Sequence, residues 1–242
     1  ALTQNPETFF LAWNALLISI KNEPKQGIPG ETDWITKALN SSVGNLAHIH
    51  VKIFEKKIVT KARWQEMAKE LLSLSETSRN ICLVFYGRFL GYFYSHAQRW
   101  AQSTIVRSLQ NNNPASWAGF FWGASVPQRE LFIEIKEALL SYGVTDSSYS
   151  EVLAGIVLCG WLSNQRLYIS NQEFRSLMLN MDEDFRLHVL HQVKLVMSKR
   201  QKLRPKMQRK LIVFIDKGSH LKISVNEAVC SLSTLFSDLN LQ

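Results

Sequence analysis

Residues 92–122, YFYSHAQRWAQSTIVRSLQNNNPASWAGFFW, constrain the fold more than any other stretch of the chain. They include three of the seven tryptophans and five other aromatic residues. The apolar positions recur at helical spacing, and the NNNP of residues 111–114 is typical of a helix end where a proline starts the next helix. We therefore predict a helix hairpin. Trp100, Trp117 and Trp122, together with Trp34 upstream, are expected in the structural core because an indole buries a large apolar area.

The remainder of the chain shows the same helical periodicity. Further helices are predicted over residues 5–22, on either side of the turn at 40–44, over 60–74, 78–94, 127–140 and 147–161, after a capping box of Ser170 and Glu173, from Asp182 to Val196, and over 207–215 and 224–239. Thr32 is the expected cap of the helix that carries Trp34. The apolar run LIVFI at 211–215 also fits a short buried strand, because periodicity cannot assign so short a run.

These helices predict an all-α fold of about twelve helices without the alternating strands of an α/β protein. Helices of this length joined by short turns favour an irregular helical-repeat array, similar to an α-solenoid, built of antiparallel helix pairs in one domain over residues 1–242. No motif recurs at the roughly 40-residue period of regular helical repeats. A compact irregular bundle therefore remains the alternative architecture.

Composition narrows the class of protein. The chain is 46% hydrophobic, which suits a folded core, and its longest apolar runs are shorter than the roughly 20 residues that cross a bilayer. Cys82, Cys159 and Cys230 are isolated within apolar segments, which predicts core thiols and a reducing, cytoplasmic location. The chain begins without Met or a signal segment, which indicates a fragment of a larger protein.

Two pairs of histidines are candidate metal ligands. His48 and His50 are two residues apart and would point to different sides of a helix. His188 and His191 are three apart and could share a face with Asp184, but no second ligand pair accompanies them. We predict no metal site and interpret both pairs as ordinary helix residues.

No signature of a cofactor site or of catalysis is present in the sequence. The GRFLG of residues 87–91 lies within an apolar helical run and lacks the Lys-Ser/Thr of a phosphate loop, so its glycines are expected to let helices approach closely. A nucleophile elbow is also missing, and the cysteines have no electropositive neighbours. We predict a chain with no catalytic residues and no cofactor.

The net charge of +8 is concentrated in residues 199–210, KRQKLRPKMQRK, which hold seven basic residues and no acidic residue. Closely spaced cations of this kind engage phosphates or an acidic protein surface. The run lacks aromatic residues for base stacking, so both partners stay open. The candidate patch comprises Lys199, Arg200, Lys202, Arg204, Lys206, Arg209 and Lys210.

Three segments of the chain resemble a known family. DWITKALNSSVGNLAHI, FYSHAQRWAQSTIVRSL and PASWAGFFWG, the last followed by an acidic, leucine-rich helix, resemble the helical C-terminal region of large bacterial sirtuin-like proteins of antiviral defence. The resemblance extends from about residue 32 to residue 239 and departs from the family where Arg204 and Pro205 replace an expected Trp-Pro. Its matching residues are Asp33, Trp34, Ala38, Asn40, Gly44, His96, Trp100, Trp117 and Gly119.

The resemblance implies a regulatory role for this chain. In that family an N-terminal sirtuin-like domain hydrolyses nicotinamide adenine dinucleotide (NAD) once infection is sensed, while the helical part serves sensing, assembly or autoinhibition. The chain lacks a dinucleotide-binding fold, so the enzymatic part would lie elsewhere in the parent protein. The expectation is a non-catalytic scaffold that binds a protein trigger or sister subunits and controls that effector.

Two other classes of function remain open from the sequence. The first is a nucleic-acid-binding helical module that docks the basic run of residues 199–210 on phosphates, and reversing those charges would separate it from the scaffold. The second is an enzyme of unrecognised type, although no convergent acid, base and nucleophile can be named. No membrane partner is expected.

Overall fold

A computed structural model describes residues 6–22, 33–124, 126–145, 147–162 and 169–199. These residues form an all-α fold with no strand, as predicted from the sequence. The helices are α1 (Pro6–Asn22), α2 (Trp34–Leu39), α3 (Ser42–Glu55), α4 (Lys61–Leu72), α5 (Glu76–Arg88), α6 (Leu90–His96), α7 (Gln98–Ala101), α8 (Arg107–Gln110), α9 (Pro114–Gly123), α10 (Arg129–Thr145), α11 (Ser150–Leu162), α12 (Asn171–Asn180) and α13 (Glu183–Lys199).

The chain divides into two compact units, Ala1–Ala124 and Ser125–Gln242. The single domain and the solenoid-like arrangement expected from the sequence both stay predictions. The helices predicted over 207–215 and 224–239, and the alternative strand at 211–215, lie outside the described residues. Within those residues, no helix is both long and apolar enough to cross a membrane.

Side-chain caps set where several helices begin, because the first turn of a helix leaves backbone N–H groups without partners. The caps of α2, α3, α4, α5 and α9 are Asp33, Ser41, Thr60, Ser75 and Asn113. The predicted capping box is confirmed: the Glu173 amide donates to Ser170 Oγ at 3.1 Å, and the Ser170 amide donates to Glu173 Oε2 at 2.8 Å. Thr32, the predicted cap of α2, lies outside the described residues, and Asp33 accepts the bonds of that first turn.

Two helical arms and the turn between them are present as predicted, but α9 packs mainly on α5 rather than on the first arm, and that arm is not one regular helix. The backbone breaks at Ala97, between α6 and α7, and a π-helical segment (Gln102–Val106) separates α7 from α8. The turn at residues 111–113 then leads into α9, with Pro114 at the first helical position as the sequence predicts. Helical periodicity therefore located the two arms but not the break or the π turn.

Helix α9 packs along α5 at very short range. A Cβ atom built on Gly119 would lie 2.0 Å from the Val84 carbonyl oxygen, and one on Gly87 would lie 2.6 Å from the Ser116 carbonyl oxygen. The two backbones can approach this closely because neither glycine carries a side chain. The expected role of the 87–91 glycines is thus confirmed for Gly87, whereas a Cβ on Gly91 would meet nothing within 4 Å.

An aromatic cluster centred on Trp64 fills the interior of the first unit. The Trp64 ring lies 4.6 Å from the ring of His50, 4.5 Å from that of Trp100, 5.3 Å from that of Phe93 and 4.4 Å from that of Phe54, measured between centroids. Large rings gain packing energy from such offset and edge contacts in addition to their burial. This cluster joins α3, α4, α6 and α7.

The second unit has its own packing. Helix α11 packs on α13, and the Trp161 ring of α11 stacks on Phe174 of α12 with centroids 4.1 Å apart. An ion pair between Lys136 and Glu173 links α10 to α12. Asp182 accepts from the Phe185 amide at 2.8 Å at the start of α13, where the sequence predicts a helix beginning.

Candidate functional site

An open, polar groove is present among the described residues of the first unit. It encloses about 540 Å³ and lies between the start of α5 on one side and the π-helical segment with α8 on the other. Its lining consists of Leu72, Glu76, Arg79, Asn80, Leu83, Ser103, Thr104, Arg107, Ser108, Asn111, Asn112, Asn113 and Pro114.

The π-helical segment shapes one wall of this groove. A π turn inserts one extra residue into a helix, changes the direction of the side chains that follow, and is frequent at functional sites. Here it places Ser103 and Thr104 on the groove wall while Ile105 and Val106 remain buried behind it. The segment therefore presents two hydroxyl groups without exposing the core.

Hydrogen bonds fix the end of the groove. Asn113 Nδ2 donates to Asn80 Oδ1 at 2.9 Å, while Asn113 Oδ1 accepts from the Ser116 amide at 3.0 Å. The hydroxyl groups of Ser108 and Ser116 lie 2.7 Å apart. Asn112 has a φ of 56°, a left-handed conformation that asparagine tolerates better than most residues. The three-asparagine turn is thus held in one conformation before any ligand binds.

Two arginines and one glutamate give the groove its charge. Arg79 Nε donates to the Leu72 carbonyl at 2.9 Å, which anchors the guanidinium at the rim. Arg107 is exposed on the opposite wall, and Glu76 lies on the same helix as Arg79. Arginine presents a planar fork of donors that matches a carboxylate or phosphate. The groove therefore carries a net positive charge and suits an anionic group.

The lining of the groove combines hydrogen-bonding and charged side chains. Asparagine side chains donate and accept hydrogen bonds, as a peptide backbone requires, and the arginines match acidic side chains. The groove's lining residues include no aromatic ring on which a nucleic-acid base could stack. Leu72 and Leu83 add a small apolar floor. These properties together fit an acidic peptide segment.

Only the first residue of the predicted basic patch lies within the described part of the chain. Lys199 is exposed at the end of α13. Arg200, Lys202, Arg204, Lys206, Arg209 and Lys210 lie outside the described residues. Binding of nucleic acid or of an acidic partner by this run stays a prediction.

The two histidines of the His48 pair have different surroundings. His48 is exposed and stacks on Phe85, whereas His50 is fully buried against Trp64. Their opposite directions agree with the sequence analysis. In the part of the chain that the structure describes, no three His, Cys, Asp or Glu side chains are grouped as a metal would require, and this includes His188, His191 and Asp184.

The tryptophans and cysteines expected in the core differ in burial. Trp100 and Trp117 are buried, but Trp34 and Trp122 are partly exposed, each with a cation over its ring: Lys37 for Trp34 and Arg88 for Trp122. A cation over an indole face is attracted by the ring quadrupole and can remain in water. Cys82 is buried, and burial raises the pKa of its thiol to about 12. Cys159 is exposed, contrary to expectation, and Cys230 lies outside the described residues.

The sequence analysis did not single out the residues of the groove. Arg79 and Arg107 are ordinary exposed helix positions when considered one at a time, because they come to one groove only through the packing of α5 against the π-helical segment that precedes α8. The local signal is the run of three asparagines before Pro114, which by itself indicates a turn.

Comparisons with known proteins add no family assignment. No protein-family model matches the chain, and searches of curated proteins and of solved structures gave no match.

Proposed function

We propose that the chain is a non-catalytic helical scaffold of a larger bacterial anti-phage defence protein. In this proposal it binds a protein trigger or sister subunits in the cytoplasm and controls a separate sirtuin-like, NAD-hydrolysing effector. The sequence resemblance to the helical region of such proteins motivates the assignment. The observation that supports partner binding is the preformed polar groove with Arg79 and Arg107 on its two walls.

The groove would bind an extended, acidic segment of the partner. Its carboxylates would pair with Arg79 and Arg107, and its backbone would hydrogen-bond with Asn111 and Asn112. Partner binding controls an effector only if the partner prefers one of two arrangements of the scaffold. The proposal therefore requires that occupation of the groove and effector activity change together.

The scaffold role can be tested with the purified chain and NAD. No hydrolysis is expected, because the effector would be a different domain of the parent protein. The measurement is release of nicotinamide, followed by chromatography over several hours. Hydrolysis by the isolated chain that persists in independently purified samples would contradict a non-catalytic scaffold.

The groove can be tested in cells that express the parent protein. Infection is expected to deplete cellular NAD through the native protein but not through the Arg79→Glu/Arg107→Glu variant, because repulsion removes the acidic segment of the trigger. Arg99→Glu is a matched control, since Arg99 is exposed on α7 in the same unit and outside the groove. Equal NAD depletion by all three proteins would exclude the groove as the trigger site.

A further inference from the structure

A second surface of the first unit combines cations with aromatic rings. It is formed by His48 and Lys52 of α3, Arg88 and Phe89 at the end of α5, and Trp122 at the end of α9, and we call it the basic aromatic surface. His48, Lys52 and Arg88 are exposed, while Phe89 and Trp122 are partly exposed. None of these residues lines the polar groove.

The side chains of this surface lie next to one another. The Arg88 guanidinium carbon lies 3.7 Å from the centre of the Trp122 ring and 5.6 Å from that of Phe89. Lys52 Nζ lies 5.8 Å from the Phe89 ring centre. A guanidinium at 3.7 Å is in stacking contact with the indole. The surface is therefore one contiguous group of alternating cations and rings.

Backbone packing holds the surface in place. A Cβ on Gly123 would lie 2.7 Å from the Arg88 carbonyl oxygen, so the ends of α5 and α9 are nearly in backbone contact. Beneath them, the buried Phe85 ring stacks on His48 at 5.4 Å and meets Trp122 edge-on at 5.7 Å. The rings of His48 and Trp122 thus share one buried base and lose little freedom when a ligand binds.

The electrostatics of the surface are positive. Lys52 forms an ion pair with Glu55 at 2.7 Å, and Arg88 makes no ion pair with any described residue. Partial burial, assisted by the charges of Lys52 and Arg88, lowers the pKa of His48, so its imidazole is neutral near pH 7. Arg88 is therefore the main uncompensated charge, and it lies directly on an aromatic ring.

We propose that the basic aromatic surface binds single-stranded nucleic acid. Arg88 and Lys52 would contact phosphates, one base would stack on Phe89, and a second would stack on the outer face of the Arg88 guanidinium, which Trp122 supports from behind. Proteins bind single strands with cations placed beside aromatic rings, because the cations contact phosphates and every base has a face that can stack on a ring. This inference does not depend on the proposed scaffold function.

Two other ligands are less well matched by these side chains. An acidic protein would use Arg88 and Lys52 but would gain no specific contact from stacking on Phe89. The bases of a duplex stay stacked on one another. A duplex could therefore contact the cations through its phosphates, but it would have no free base to stack on the aromatic rings. The surface therefore predicts a preference for single strands over duplexes.

The proposal is tested by fluorescence anisotropy with labelled oligo(dT) and oligo(U) of about 20 nucleotides, in salt low enough to retain phosphate contacts. The full chain is expected to bind single strands at least about tenfold more tightly than the same probe in a duplex. Comparing the two probes shows whether DNA or RNA is preferred. No binding of either probe at low salt would overturn the proposal.

Variants separate this surface from the basic run of residues 199–210. Arg88→Glu is expected to weaken single-strand binding by at least about tenfold, and Lys52→Gln by several-fold, because each removes a phosphate contact. Lys69→Glu, an exposed lysine of α4, is the matched control and should bind within about twofold of the native chain. Loss of binding on changing Arg204 and Lys206 to Glu, with no loss for Arg88→Glu, would contradict the inference.

Crosslinking gives a readout that does not depend on the stability of a variant. Oligo(U) containing 4-thiouridine is expected to crosslink to peptides that contain Phe89 or Trp122. Arg88→Lys keeps the charge but loses the stacking plane, and it should reduce this crosslink several-fold while circular dichroism remains unchanged. Crosslinks confined to residues 199–242 would refute the assignment.

Discussion

His50 forms a complete hydrogen-bonding network inside the first unit. Its Nε2 donates to the Trp64 carbonyl at 2.9 Å, and Trp64 Nε1 donates in return to the His50 carbonyl at 3.0 Å. With the proton on Nε2, Nδ1 accepts from the Tyr86 hydroxyl at 3.0 Å. Every polar atom of this buried ring therefore has a partner, which joins α3, α4 and α5 through one neutral imidazole.

Acid should destabilise the chain through this residue. Burial lowers the pKa of His50 to about 4, while an unfolded histidine titrates near 6.5. Between these values the unfolded state binds the extra proton, so the free energy of unfolding falls as pH decreases from about 6.5 to about 4, by about 3 kcal/mol in total. Above pH 6.5 this contribution is constant. Urea unfolding at a series of pH values measures the slope.

The control for this pH dependence is a pair of variants. His50→Gln should be less stable at pH 7 and should lack the His50 part of the slope between pH 6.5 and 4. His191→Gln changes an exposed histidine and should retain it. A slope that is equal in both variants would show that His50 is not its source.

Tyr86→Phe tests the same network from the other side. The substitution keeps the ring but leaves Nδ1 of a fully buried histidine without its donor, which costs about 1–3 kcal/mol. We expect a lower midpoint of urea unfolding at pH 7 with an unchanged slope against denaturant. A midpoint equal to that of the native chain would mean that another group replaces the hydroxyl.

At the scale of the element, the close packing of α5 against α9 depends on glycines. Gly119→Ala would place a Cβ 2.0 Å from the Val84 carbonyl oxygen, so the helices must separate. We expect a loss of about 1–3 kcal/mol or more in the free energy of unfolding, since overpacking forces backbone shifts. Thermal unfolding followed by circular dichroism measures it.

Gly91→Ala is the matched control for that substitution. It makes the same chemical change within helix α6, where nothing lies within 4 Å of the new atom. Alanine restricts the unfolded chain, so this variant should be more stable by roughly 0.5–1 kcal/mol. If both variants lost equal stability, close helix approach would not be the reason for Gly119.

Local sequence predicted helix ends better than it predicted irregularities inside helices. The capping box of Ser170 and Glu173 and the start at Pro114 depend on residues only a few positions apart, and both are present. The break at Ala97 and the π turn after Ala101 have no such local signature. Trp100, which lies between them, packs edge-on against Trp64 with ring centroids 4.5 Å apart, a tertiary contact that periodicity does not encode.

At the scale of the whole molecule, the first unit should fold without the second. A fragment of residues 1–124 contains the entire Trp64 cluster and the α5–α9 pair. We expect it to show a helical circular dichroism spectrum and a single cooperative thermal transition, because its own residues form its hydrophobic core. A fragment that is helical but melts without cooperativity would indicate that residues after 124 complete the core.

The sequence predicted the fold class but neither of the two candidate surfaces. An all-α class follows from periodicity and turns, which are properties of neighbouring residues. The groove brings together Arg79 and Arg107, which lie on different helices. The basic aromatic surface likewise combines Lys52, Arg88 and Trp122 from three helices. Such groupings depend on which helix faces pack together, and the sequence alone does not specify that packing.

The close contact of α5 with α9 has a mechanical consequence. The groove lies at the start of both helices and the basic aromatic surface at their far end, about 20 Å away for a helix of 13 residues. Because the interlocked backbones resist sliding past each other, the groove and the basic aromatic surface are expected to keep a fixed separation.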